Sequence, residues 1–246
     1  MADARGPMQQ LFPERRIVKF HRRQDRLLFF SMVDELVTED MTVLDYGAGR
    51  NRFAEYGPHL NRISTYKGRC ARIIGVDVDE AVMTNDAMDE THLIGADGTI
   101  PLPDHSVDLI YSYAVFEHIT DPERVAAELS RVLKPGGWLC AWTPNKWGYG
   151  AIGARLIPND RHARMLEGQP GQRGEADVFP TAFHLNTRSA IRRHFPGDAF
   201  EDHSFYYNAQ PAYNFGSAFL ARVWLGYMAV TPSFLSQCLY IFLKKR

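Results

Sequence analysis

Residues 43–51 read Val-Leu-Asp-Tyr-Gly-Ala-Gly-Arg-Asn. The pattern is an apolar strand that closes on an acid and runs into a glycine-rich turn. Gly47 and Gly49 let the backbone turn sharply and approach a ligand, with Ala48 small between them. A helix starting beyond the turn aims unpaired N–H groups and a positive dipole end at that ligand. Taken alone, the glycines fit an ordinary turn as well as a nucleotide site, so the neighbouring segments must discriminate.

Upstream, Glu14 to Val37 predicts a helix, with Leu27, Leu28, Phe30, Val33, Leu36 and Val37 at helical spacing. Its front is basic (Arg15, Arg16, Lys19, Arg22, Arg23, Arg26). That run reads as a solvated helix face or as a lid over an acidic substrate. Downstream, Arg52 to Tyr66 is the expected first crossover helix, interrupted at Gly57-Pro58. Arg72 to Asp79 predicts a second strand that again ends in acid. In a dinucleotide-type fold that acid accepts from ribose hydroxyls; Asp77 is the candidate, beside Val78, and Asp79 is the alternate or a helix cap.

A short third strand is expected at His92 to Ala96, followed by Asp97-Gly98, and a fourth at Val107 to Tyr113. Asp121-Pro122 looks like an N-cap followed by proline at the first helical position, opening a helix over Glu123 to Leu133. Lys134-Pro135-Gly136-Gly137 stops it, and Trp138 to Thr143 is a fifth strand. Apolar strands alternating with helices argue an α/β fold with a mostly parallel sheet covered on both faces. Ligands of such sheets lie outside the carboxyl ends of the strands, where these acids and glycines stand.

In this order and spacing, residues from about Val43 to Asn145 resemble a class I S-adenosylmethionine-dependent methyltransferase of the small-molecule branch (methyltransferase domain 11-like). The motifs are Asp97, LPDHSVD at Leu102 to Asp108, Glu117-His118, VLKPGG at Val132 to Gly137, and Thr143-Pro144-Asn145. The resemblance implies a Rossmann-like seven-stranded sheet, mostly parallel with the last strand antiparallel, and S-adenosyl-L-methionine as cofactor. It places Asp45, Gly47, Ala48 and Gly49 under the methionine end, Asp77 and Val78 at the ribose, Asp97 at the adenine amino group, Gly98 near the ring edge, and the Tyr113 backbone at the methionine amino group. The family's third small turn residue is replaced here by Arg50-Asn51; asparagine tolerates a left-handed backbone, so the turn is expected to survive.

Methyl transfer is an in-line displacement in which proximity does most of the work. An oxygen acceptor also gains from a base within reach. His118 is a candidate base or substrate contact, or else a helix-start histidine bonded to backbone. His184, in Phe179 to Asn186, either lines the acceptor pocket or packs between helix and sheet; His162 reads as a loop residue. Metal ligation is not expected. Cys70, Cys140 and Cys238 form no CxxC pair.

Three segments of one domain follow: a tail and helical cap (1–40), the cofactor core (41–145), and substrate-side loops with the last two strands (146–246). A helix is expected at Ala151 to Leu156, then a polar loop to Val178, a helix from Thr187 to His194, a sixth strand at Phe200 to Tyr207, and a terminal strand at Ser236 to Leu243. Phe215 to Val230 is apolar almost all round, with Arg222 at its middle. It is shorter than a membrane span. It reads either as a helix inserted between the last two strands and packed on the core or, lacking a polar face, as a cover for a hydrophobic substrate, a second subunit or a membrane surface. The net charge of −1 favours no nucleic-acid partner, and a cytoplasmic setting, peripheral to membrane if the helix binds lipid, is the expectation. Two readings result: an enzyme acting on a small-molecule acceptor, of glycan, lipid-linked or quinone-like kind, or a non-catalytic binding or scaffold protein that keeps the fold.

Overall fold

Four consecutive residues of β1 (Thr42–Tyr46), Val43 to Tyr46, are buried. Two parallel strands flank it: β2 (Arg72–Asp77), with Val43 opposite Ile73, and β4 (Val107–Tyr113), with Val43 opposite Leu109. A strand walled in on both sides and both faces has no position for an exposed polar side chain, hence the unbroken apolar runs. The computed structural model describes residues 6–50, 56–156 and 180–246. Asn51, His162, the whole expected polar loop from residue 157 to Val178, and the front of the expected crossover helix lie outside them.

Beyond these strands come β3 (Glu90–Leu93), β5 (Leu133–Pro144), β6 (Phe200–Asp202), β7 (Phe205–Tyr207) and β8 (Cys238–Lys245). The order across the sheet is β3-β2-β1-β4-β5-β8-β6, with β7 also on β8. β6 and β7 hold one register against β8, Phe200 opposite Lys245 and Phe205 opposite Tyr240. They are therefore a single sixth strand interrupted at His203-Ser204, where the Ser204 amide turns to the Asp202 carboxylate (2.8 Å). Only β8 runs antiparallel, giving the Rossmann-like sheet of seven strand positions.

Alternate residues of each strand point to opposite faces. Leu44, Ile74, Ile110, Leu139 and Ile241 pack on one side with Leu129 and Val132 of α4 (Pro122–Val132) and Ile191 of α6 (Arg188–His194). Val43, Ile73, Leu109, Cys140 and Phe242 pack on the other with Phe29, Phe30 and Val33 of α2 (Asp25–Leu36) and Leu60 and Ile63 of α3 (Pro58–Ser64). Caps fix the starts: the carboxylate of Asp121 accepts from the Arg124 amide (3.0 Å) and the Thr187 hydroxyl from Ala190 (3.2 Å).

Several expected boundaries shift. The long N-terminal helix is instead a short α1 (Pro7–Leu11), a 3-10 turn (Pro13–Arg16) and, after an irregular stretch, α2. The break lets His21 stack flat on Phe12, with ring centroids 4.2 Å apart, a contact that a continuous helix would not permit. Gly57-Pro58 stands at the start of α3, Gly57 at φ +94° and Pro58 in the first turn, just after a 3-10 residue at Tyr56. The third strand lies earlier, at Glu90–Leu93, because pairing with β2 ends at Asp77 opposite Leu93. β5 begins at Leu133, and its Lys134–Gly137 segment forms an irregularity between the pairs Val107–Leu133 and Leu109–Trp138. The terminal strand ends two residues later than expected, at Lys245, because Lys245 pairs with Phe200.

Two of the recognised motifs hold the fold rather than the site. Lys134 of VLKPGG donates to both oxygens of Asp108 in LPDHSVD (2.8 Å each), and Asp108 also accepts from the Thr42 amide (2.9 Å). Arg131 donates to the carbonyls of Ile100 and Leu102 and to Asp104 and Glu128. These contacts sit at the end of the sheet where β1 and β4 begin, opposite the rim where they end.

Candidate cofactor site

The chain leaves β1, builds β2 and β3 on one side, then crosses to β4 on the other. Such a reversal leaves a crevice outside the carboxyl ends of the central strands. The glycine turn lies there. The amides of Gly47 and Ala48 both donate to the Val76 carbonyl (2.8 and 3.1 Å), so the turn folds back over the end of β2. The Gly49 amide donates to Oδ2 of Asp77 (2.9 Å), while Oδ1 of Asp77 accepts from the Asp79 amide (3.0 Å). The buried Asn85 clamps the turn from below, its Nδ2 donating to the carbonyls of Ala48 and Gly49 (3.2 and 3.1 Å).

A carboxylate offers about four lone-pair sites. Those two backbone bonds leave Asp77 acceptor capacity for a vicinal diol, as a ribose requires. Val78, next in sequence, is 66% exposed at the same rim, an apolar surface suited to a flat base. Asp79 caps the following 3-10 turn through the Ala81 amide (2.8 Å), as its alternate reading anticipated.

Asp45 is buried and accepts from the Tyr111 hydroxyl (2.8 Å). Burial pushes its pKa up to about 7, and the nearby Asp77 charge adds to the rise while the Tyr111 bond opposes it. The folded protein therefore binds a proton that the unfolded chain releases near pH 4. This contribution to stability is fully present below about pH 4 and is lost as pH rises to about 7. Chemical denaturation of the wild type and of Asp45→Asn across that window checks it: the difference between the two should slope through pH 4–7, and a flat difference would contradict a protonated Asp45.

Asp97 lies four residues beyond β3, in a turn and not at the strand end. Its exposed carboxylate accepts from the Thr99 amide (3.0 Å) and hydroxyl (2.7 Å) and from Arg124 (3.3 Å). The Thr99 bonds hold it below the usual carboxylate range. The Gly98 amide closes this turn on the Gly95 carbonyl (2.7 Å).

Tyr113 ends β4, half-buried, with its ring stacked on Trp142 at 4.7 Å and the Arg26 guanidinium 5.2 Å above it. Arg26 also lies 3.9 Å over the ring of Tyr56. Ala114 follows at φ +59°, a left-handed backbone unusual for a side-chain-bearing residue, which turns the chain over the crevice. Val115 then lies against Gly47. The next turn carries Glu117 and His118. Buried Glu117 accepts from the Thr143 hydroxyl (2.9 Å), which accepts from Asn186 (2.6 Å). Nδ1 of His118 lies 3.0 Å from the Pro180 carbonyl. A neutral ring donating there carries its lone pair on Nε2, the form a base needs. His184 is exposed, so it does not pack between helix and sheet as one reading had it.

Asn85, Tyr111, Val115 and Arg124 were not anticipated at this rim, and Arg26 was anticipated only as part of the basic run; the crossover geometry brings them in.

Residues 44–141 match a methyltransferase domain family. Over those residues the chain is similar to the class I S-adenosylmethionine-dependent methyltransferases, whose cofactor is S-adenosyl-L-methionine. It is 34% identical over 183 residues to an uncharacterized methyltransferase of Mycolicibacterium gilvum, covering 66% of each chain. It is 39% identical over 100 residues to a probable S-adenosylmethionine-dependent methyltransferase of Mycolicibacterium smegmatis, covering 39% of this chain and 38% of that one. The chain thus spans less than two thirds of the length of either relative. A putative S-adenosylmethionine-dependent methyltransferase from Listeria monocytogenes shares the fold at TM-score 0.52 and 13% identity, covering 90% of this chain and 98% of that one.

Proposed function

We propose that this protein transfers a methyl group from S-adenosylmethionine to a small-molecule acceptor, and that Asp45, Gly47, Ala48, Gly49, Asp77, Val78, Asp97, Gly98 and Tyr113 line the cofactor crevice. The observation that carries the reading is the Asp77 carboxylate. It is held by the Gly49 and Asp79 amides at the rim where β1 and β2 end, with acceptor capacity to spare. When bound, the cofactor supplies a methyl group activated on a sulfonium. The protein's part is to hold both reactants close and dry.

The turn after β4 supports an acceptor side next to the cofactor, since Val115 touches Gly47 and His118 follows three residues later. In this reading His118 Nε2 takes a proton from the acceptor, and Glu117, anchored through Thr143 and Asn186, fixes the turn. His184, exposed on the segment that reaches Asn186, is a second candidate acceptor contact. The acceptor kinds consistent with the chain are glycan, lipid-linked or quinone-like.

Titration calorimetry of the whole chain with S-adenosylmethionine and, separately, NAD tests the assignment. Binding of the first and not the second is expected. Preference for NAD would overturn the cofactor reading. Tight binding without methyl transfer across a panel of those acceptors would favour the scaffold reading.

A further inference from the structure

α7 (Ala218–Val230) turns its outward stripe to solvent with almost no polar cover. Phe219 is 75% exposed, Val223 47% and Val230 82%. Gly226 lies between them, and Phe215 and Phe234 extend the patch at either end, 50% and 55% exposed. The inward side is well packed: Trp224 stacks on Tyr149 of α5 (Tyr149–Leu156) at 4.3 Å, and Ala221 and Met228 are buried. The outward stripe is therefore not a core surface left unfinished by poor packing. A contiguous exposed apolar patch of this kind marks an interaction site.

Among the described residues the charge around it is mostly positive. From His203 to Arg246 the chain contains no Asp or Glu. Arg222 stands in the outward stripe itself. Beside α7 lies the N-terminal segment with Arg15, Arg16, Lys19, Arg22 and Arg23 against one acid, Glu14, which accepts from Arg22. α1 packs on α7. Arg16 bonds back to the Gln9 carbonyl of α1 (3.2 Å), and Arg23 donates to the Asn208 carbonyl (3.2 Å), whose own side chain donates to Met228 of α7 (3.2 Å). Exposed Ile17, at 86%, and Val18 continue the apolar surface among these cations.

We propose that this face docks on an anionic lipid bilayer, with α7 lying flat in the headgroup region and the N-terminal cations against lipid phosphates. A helix of this length is about 20 Å long, short of the roughly 30 Å hydrocarbon core, so it seats in the interface and does not cross. No described helix is long and apolar enough to span. The charge pattern selects lipid over a second copy of the chain. A twofold interface sets the same patch against itself, which would bring Arg222 and the N-terminal cations toward their own copies, while Glu14 is already engaged by Arg22. Apolar side chains interleaved with cations fit acyl chains below a layer of phosphates.

Flotation of the full chain with vesicles of phosphatidylcholine, alone or doped with phosphatidylglycerol, tests the proposal. Binding to the doped vesicles is expected, weakening as salt is raised. Phe219→Glu with Val230→Glu should reduce that binding roughly tenfold or more, and Arg16→Gln with Arg222→Gln should reduce the preference for doped vesicles by a similar factor. Unchanged thermal melting and unchanged S-adenosylmethionine binding in both variants would confirm intact folding. The proposal is overturned if the wild type floats with neither vesicle or equally with both. It is also overturned if light scattering shows a dimer that Phe219→Glu with Val230→Glu dissolves, for then a second copy covers the face.

Discussion

Gly47→Ala is expected to destabilise the protein by about 2–5 kcal/mol, lowering its melting temperature on the order of 10 °C. Two independent costs add. Gly47 sits at φ +84°, where a side-chain-bearing residue is strained by about 1–2 kcal/mol. A β-carbon placed there would stand 2.3 Å from Cγ2 and 2.9 Å from Cγ1 of Val115. Valine cannot yield by swinging a flexible tip, because both methyls branch at its β-carbon. Relief must come from moving the Ala114–Val115 backbone, which is itself held by the Ala114 amide on the Trp142 carbonyl (3.0 Å). Gly153→Ala is the control: within α5 it meets no atom within 4 Å and has no positive φ, so it should be neutral or slightly stabilising. Thermal melts of both variants decide the matter. A Gly47→Ala protein as stable as wild type would mean that Val115 does not lie over the turn.

Asp77→Ala is expected to weaken S-adenosylmethionine binding by roughly 1.5–3 kcal/mol, about 10- to 150-fold. The loss has two sources. A charge-assisted contact to the ribose disappears, and the Gly49 and Asp79 amides lose their acceptor, so the turn loosens as well. Asp77→Asn separates them. It keeps one oxygen for an amide while removing the charge, and should fall between wild type and the alanine variant. Calorimetry with S-adenosylhomocysteine is the measurement. Affinity near wild type in Asp77→Ala would move the ribose elsewhere.

Much of the fold was legible because its signals are local. Val43 to Asp45 and Val107 to Tyr113 read as strands from their apolar runs, and Asp121-Pro122 and Thr187 as helix starts from cap chemistry. Misplaced boundaries share a cause. The third strand and β8 end where their partners end, and the N-terminal helix breaks where Phe12 and His21 find each other across nine positions. Register and ring stacking are agreements between distant segments, which periodicity within one segment does not encode.

The site divides the same way. The amino-acid sequence by itself determined which residues can serve the crevice: acids that close apolar strands, and glycines able to turn as no other residue can. That information is carried by residue type and short spacing. Only the tertiary structure decided how they are used: Asp77 tied to Gly49 across 28 positions, Asp97 engaged by Thr99 and Arg124, the turn pinned by Asn85, and His184 left in solvent. The reason is physical. A hydrogen bond between segments, and the burial that moves the Asp45 pKa, exist only once the crossover has set strands from opposite sides of the chain reversal next to one another.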